Sequence, residues 1–248
     1  MPERTHPGDT GPAVRDLQAW LCRQGYSVAV DGRHGPLTEA AVVLALAAQG
    51  VADDAALAVQ GADARTRMVA LARSYVGCSQ ADPDRWLGLL AGPGDTDGPI
   101  RQWMMAPTTS SCALVARGLL RLAGCRHPLL LARARVGHPM EDLEAIGKDA
   151  GAWVPARQRG DRLPGPGDPV VLESATGGHA FLLDALEPAD GRLCRIASVD
   201  GGQKDAAGRQ LICQMHRTWT AVGAGIVDDN GHRARQVHGW VDVERVLG

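Results

Sequence analysis

Apolar residues recur at helical spacing through most of the chain before Gly160. From Leu163 onward they give way to short apolar runs separated by turn residues. Residues 170–173, 179–186, 193–200 and 211–219 read as strands. Between and before them lie Pro164-Gly165-Pro166-Gly167-Asp168 and Gly177-Gly178, residue types that supply preset or positive φ. This pattern predicts an antiparallel meander, and helices followed by strands within one domain make an α+β arrangement.

The helical part has its own punctuation. Residues 66–76 place Met68, Val69, Leu71, Ala72 and Tyr75 on one face, ended by Gly77. A loop holding Trp86 and the Gly92-Pro93-Gly94 turn is expected next. Thr108-Thr109-Ser110-Ser111 is a run of N-cap formers, so Cys112 should lie in the first turn of a helix that closes at Gly124. Leu114, Val115, Leu119 and Leu122 form its buried stripe, with Arg117 and Arg121 expected in solvent. Residues 140–146 are the clearest helical segment of the stretch that follows.

At 248 residues the chain can hold two domains, and the boundary is expected near Asp63, giving 1–62 and 63–248. A net charge of -2 argues against electrostatic capture of nucleic acid. Met1 to Thr10 has no basic cluster followed by an apolar core, so no secretory signal is expected; export would use another route. No apolar run approaches the roughly 18–20 residues of a membrane helix, and a soluble chain without membrane insertion is expected. The six cysteines are widely spaced with no C-x-x-C pair, so neither a metal site nor a cofactor is expected.

The N-terminal stretch is a predicted helical hairpin around a structured loop. Gly11, Val14, Leu17-Gln18, Leu21, Gly25-Tyr26, Val30-Asp31-Gly32, Gly35-Pro36, Thr38 and Ala41-Val42 stand in the order of the common peptidoglycan-binding module, which this stretch resembles. That resemblance implies a three-helix wall-binding domain, with Tyr26 and Asp31 as candidate substrate contacts. The aromatic-Gln pair of that module is replaced here by Leu46-Ala47-Ala48-Gln49. The competing reading is a hairpin that serves only for packing.

Chemistry concentrates around Cys112. A helix N-terminus lowers a thiol pKa through its unpaired N–H groups and its dipole, and none of the other five cysteines has so clear a position. His179 opens a strand after Gly-Gly, which lets another backbone approach closely, and is the best-placed base. If residues 187–192 form the hairpin loop, Leu186 faces Leu193, Asp184 faces Arg195, and His179 faces Asp200. Asp200 could then take an imidazole N–H and fix the tautomer. Gly201-Gly202-Gln203-Lys204 reads as a turn leaving that strand, although Gln203 could line the cleft; Asp228 to His232 reads as a surface turn.

Ser111-Cys112 at a helix start, Leu163 to Asp168 before a strand, and Gly178-His179-Ala180-Phe181-Leu182 together resemble the papain-like cell-wall hydrolases of the NlpC/P60 and CHAP type. The resemblance implies Cys112 as nucleophile, His179 as base and Asp200 as orienting residue, with Ser111, Gly178 and Gln203 as candidate substrate contacts. Ser111 stands where that family usually has Asp, and the insert between helix and meander is long.

The function these features imply is cleavage of a peptide or amide bond of peptidoglycan, by an antibacterial effector or a phage-type lysin acting in the periplasm or on the wall. An immunity protein or a component of a secretion machine would be a further partner. Two other classes stay open: a catalytically silent wall-binding adaptor, and a cysteine amidase acting on proteins.

Overall fold

The computed structural model describes residues 5–6, 8–23, 28–35, 38, 41–42, 63–91, 98–106, 111–132, 134–135, 138–160, 162–174, 177–188, 193–222, 225–229 and 235–248. The chain divides into two compact units, Met1–Asp63 and Ala64–Gly248.

In the first unit, α1 (Pro12–Arg23) carries Val14, Leu17, Gln18 and Leu21 on its buried face, the i, i+3, i+4, i+7 spacing of an amphipathic helix. Leu17 and Leu21 pack with Val28, Ala41 and Val42, with Trp20 at the edge. Gln18 is the hub of the following loop. Its Nε2 lies 2.9 Å from Asp31 Oδ1 and 3.0 Å from the Arg33 carbonyl, while its Oε1 accepts the Gly32 N–H at 2.8 Å. Gly32 holds φ at 73°, and a Cβ there would strike the Arg15 side chain, so the turn requires glycine. Of the expected three helices, α1 and the helical residues Thr38, Ala41 and Val42 are described; Tyr26 and the stretch expected to hold the third helix lie outside the described residues.

The second unit is α+β. Its helices are α2 (Ala64–Ser74), α3 (Pro83–Leu90), α4 (Gly98–Met105), α5 (Cys112–Leu122), α6 (Pro128–Leu131), α7 (Pro139–Asp149) and α8 (Val243–Leu247). The strands are β1 (Trp153–Pro155), β2 (Pro169–Ser174), β3 (Gly177–Pro188), β4 (Leu193–Lys204), β5 (Gln210–Val222), β6 (Gly225–Asp229) and β7 (Arg235–Val241). They run in the order β1-β7-β2-β3-β4-β5-β6, and β6 pairs again with β7. The expected antiparallel meander closes into a six-stranded antiparallel barrel, β2 to β7, with β1 paired to β7. Closure removes the sheet edges that an open meander would leave unpaired. The barrel core is built from Val170, Leu172, Phe181, Leu183, Ile196, Trp219, Ile226, Val237 and Trp240.

Several local expectations are corrected. Trp86 is not in a loop: it is fully buried in α3, which Asp82 caps by accepting the Arg85 N–H and which Pro83 opens at a position where proline costs nothing. Arg117 is buried rather than solvated, because α6 and α7 cover that side of α5. Its Nη2 donates to the Leu129 carbonyl at 2.6 Å, and its Nε lies 3.5 Å from Asp142. Gly201 to Lys204 continue β4 instead of turning away, past a bulge between Asp200 and Gln203 where Gly202 takes φ 78°. Asp228 and Asp229 end strand β6 rather than forming a surface turn, and Asp228 is fully buried.

The β3–β4 register also differs from the sequence expectation. Asp200 faces Phe181, Leu183 faces Ser198, and beyond a bulge Ala185 faces Ala197 and Leu186 faces Ile196. The bulged residue is Asp184, whose buried carboxylate is held by Arg73 Nε at 2.6 Å and Gln214 Nε2 at 2.7 Å. That demand for two polar partners displaces the ladder, a cost invisible in a pairing scheme based on side-chain character alone.

Candidate active site

Cys112 is the first residue of α5, and Ser111 is its N-cap. Ser111 does not cap with its side chain: its Oγ is buried without a hydrogen-bond partner among the described residues, while its backbone N–H donates to Gln210 Oε1 at 3.1 Å. Gln210 Nε2 donates in turn to the Ala106 carbonyl at 3.0 Å, so one buried glutamine ties down both Ala106 and Ser111. Gln80 completes the brace by accepting the Gln210 N–H at 2.9 Å and donating to the Met105 carbonyl at 2.9 Å.

The start of α5 lies against β4 because Gly201 allows it. A Cβ at that position would sit 2.5 Å from Val115 Cγ2 and 3.2 Å from the Ser111 carbonyl oxygen. On the neighbouring strand, Met140 fills the space beside Gly178, immediately before His179. These glycines bring the helix start, β3 and β4 close enough for their side chains to meet.

Phe181 and Leu183 belong to the barrel core, so His179, at the same parity, enters the barrel interior at its end. Ser198 and Asp200 occupy the matching parity of β4 after Ile196. His179 Nε2 lies 2.6 Å from Asp200 Oδ2. The ring also engages Cys112 through a hydrogen bond and a charge interaction. With Nε2 committed to Asp200, Nδ1 is the nitrogen left for the thiol. Burial opposes a charge on this imidazole, but Asp200 and Cys112 outweigh it and raise its pKa from 6.5 to about 9. Cys112 and His179 are 4% and 8% exposed, so their interaction is little screened by water.

The other thiols lack this setting. Burial pushes Cys78 up to about 11, and it also raises Cys125 and Cys213.

A layer behind Asp200 was not expected from sequence. Ser198 Oγ donates to Asp200 Oδ1 at 2.6 Å. Arg217, buried in the barrel, pairs through Nη2 with the same Asp200 oxygen that His179 uses, and its Nε lies 3.1 Å from Ser198 Oγ. Its Nη1 is 3.3 Å from Asp228 Oδ2, and the guanidinium lies 4.8 Å from the Phe181 ring centroid. Trp219 Nε1 holds the other Asp228 oxygen at 2.8 Å. The available signal was a period-2 strand with Arg217 at the same parity as Trp219, a charge on the face that should be apolar.

The remaining candidate residues are more dispersed. Gln203 lies beyond the β4 bulge, half-buried and paired with Leu211. Gly178 pairs with Glu173 and lines a cavity of about 450 Å³ together with Met140, Glu144 and His238. Asp31, in the N-terminal unit, accepts hydrogen bonds from Gln18 and from the Arg33 N–H, which hold its carboxyl below the usual range. No helix among the described residues is long and apolar enough to cross a membrane.

A family described as a predicted peptidoglycan domain matches residues 12–75, which begin with α1 and end just after α2. The match supports a peptidoglycan-binding module and association with the cell wall. No curated protein and no solved structure matches the chain.

Proposed function

We propose that this chain is a peptidoglycan hydrolase, a papain-like cysteine peptidase or amidase in which Cys112 is the nucleophile, His179 the general acid and base, and Asp200 the orienting carboxylate. The observation that carries this reading is the continuous chain from Cys112 at a helix start, through the His179 ring, to Asp200 at 2.6 Å. The match of residues 12–75 to a peptidoglycan domain supports the substrate class.

In the reaction, the Cys112 proton passes to His179 and the thiolate attacks a carbonyl carbon of a stem or bridge peptide. First-turn N–H groups of α5 receive the developing oxyanion; the Ser111 N–H is not among them, because Gln210 holds it. The C–N bond breaks as His179 returns its proton to the leaving amine, leaving a thioester. Water then attacks the thioester, His179 takes a proton from it, and the C–S bond breaks to release the acid and restore the thiol.

The reading places the action at the cell wall, with delivery as a phage-type lysin or an injected antibacterial effector. In the effector case a cytosolic immunity protein is a further partner. The burial of Cys112 and His179 favours one competitor, a wall-binding adaptor that keeps the shape of the site without turnover.

The test is release of soluble fragments from purified peptidoglycan by the wild type and by Cys112→Ala, with mass spectrometry of the products. Fragments from the wild type alone support the hydrolase and name the bond. Binding to sacculi without fragments from either protein sinks it and leaves the adaptor.

A further inference from the structure

Asp200 spends one oxygen twice. Its Oδ2 accepts from His179 Nε2 and from Arg217 Nη2, while Oδ1 takes the Ser198 hydroxyl. Arg217 is itself drawn the other way by Asp228, with its guanidinium carbon over the Phe181 ring. The guanidinium and both carboxylates are buried, so these pairs act at low dielectric. We infer that Arg217, held by Asp228, is a positioning residue that divides the Asp200 carboxylate with His179 and sets how strongly Asp200 holds the imidazolium.

The charge balance gives the direction of the effect. Asp200 alone would hold a protonated His179 tightly and make it a poor base for the water step. A shared Asp200 holds it less tightly. Asp228 offsets part of the Arg217 charge and moderates that sharing. Burial raises the carboxyl pKa of Asp228, and the charge of Arg217 opposes the rise.

Among the described residues, the other groups around His179 come from α5, β2, β5, α7 and the adjoining cavity. Cys112 comes from α5, and Leu172 of β2 is its register partner. Cys213 of β5 lies opposite Asp200. Met140 of α7 packs beside Gly178, and Glu141, Glu144, Arg157, Glu173 and His238 line the cavity next to it. Arg73 of α2 is bound to Asp184.

The inference rests on the Cys112–His179–Asp200 reading, but its readout needs no substrate. The measurement is the titration of the His179 ring, followed by NMR of the full chain labelled in histidine. A unit charge roughly 6 Å away at an effective dielectric of about 20 shifts a neighbouring pKa by about one to two units. Arg217→Gln removes a positive charge and is expected to move the His179 midpoint up by that amount. Arg217→Lys keeps the charge and should stay near the wild type. Asp228→Asn keeps an oxygen for Trp219, leaves Arg217 wholly to Asp200, and should move the midpoint down by about one unit.

Opposite shifts in the two neutralised variants support the inference, because a structural role would give no such sign reversal. Unmoved midpoints, or shifts in the same direction, in folded variants overturn it. If Arg217→Gln does not fold, Asp228→Asn decides: a downward shift supports the inference and no shift overturns it. Failure to cleave peptidoglycan while the midpoints move as expected would remove the substrate and leave this inference standing.

Discussion

His179 and Asp200 lie on neighbouring strands two positions out of register, and still share a 2.6 Å hydrogen bond. Phe181, not His179, stands directly opposite Asp200. A displacement of two keeps both side chains on the same face, and diagonal neighbours on a sheet lie within reach of long side chains. A displacement of one would have turned the pair apart.

Asp200→Asn should lower fragment release by roughly two orders of magnitude, because a neutral amide no longer stabilises the imidazolium and its single oxygen cannot accept from His179, Arg217 and Ser198 together. It also leaves Arg217 short of one buried countercharge. Removing one partner of a buried pair costs about 3–5 kcal/mol, so the variant should unfold at clearly lower denaturant; an unchanged midpoint would contradict the burial of the network.

The pH dependence of stability follows from His179. Its folded pKa, about 9, lies above the ordinary 6.5, so the folded state binds the proton more tightly than the unfolded state. That stabilisation is complete below about 6.5 and is lost as pH rises through about 9. Denaturant melts from pH 6 to 10 should therefore show a decline that is flattened in His179→Ala; parallel curves for the two proteins would count against the ion pair.

Gly201→Val should be harmful out of proportion to its exposure. Even a Cβ meets Val115 and the Ser111 carbonyl, so either α5 or β4 must move. Overpacking of this kind costs about 1–3 kcal/mol, and the same movement takes Cys112 away from His179. Thermal melts and fragment release should both fall; wild-type values for both would show that the helix start tolerates the displacement.

Gln210→Ala removes the acceptor for the Ser111 N–H and the donor to Ala106 without touching Cys112 or His179. Buried groups left unpaired cost about 1–3 kcal/mol, and the start of α5 should lose its fixed position. The expectation is a lower unfolding midpoint together with a reduced kcat; a stable variant with full activity would refute the brace.

Much of this protein was legible before folding. The period change at Leu163 separates helices from strands because i, i+3, i+4 and i, i+2 spacings follow from local backbone geometry. The start of α5 at Cys112, its end just before Gly124 and the strand opening near His179 were visible for the same reason. So was the hairpin signature around Gln18 and Gly32, whose positive φ and side-chain bonds are made within one short segment.

What the sequence did not reveal depends on distant partners. The short strands β6 and β7 carry weak alternation, and only their pairing with each other turns a meander into a barrel. Arg117 looks like a surface residue until α7 brings Asp142 to it. The β3–β4 register depends on Arg73 and Gln214 reaching Asp184 from two other elements. Arg217 and Asp228 lie eleven residues apart on the paired strands β5 and β6, and their charges are buried together only within the folded barrel. Local spacing determined the elements and the face on which each reactive side chain stands, because those follow from torsions of neighbouring residues. The tertiary structure decided which buried charges meet, because a charge can leave water only where a distant residue arrives to pair with it.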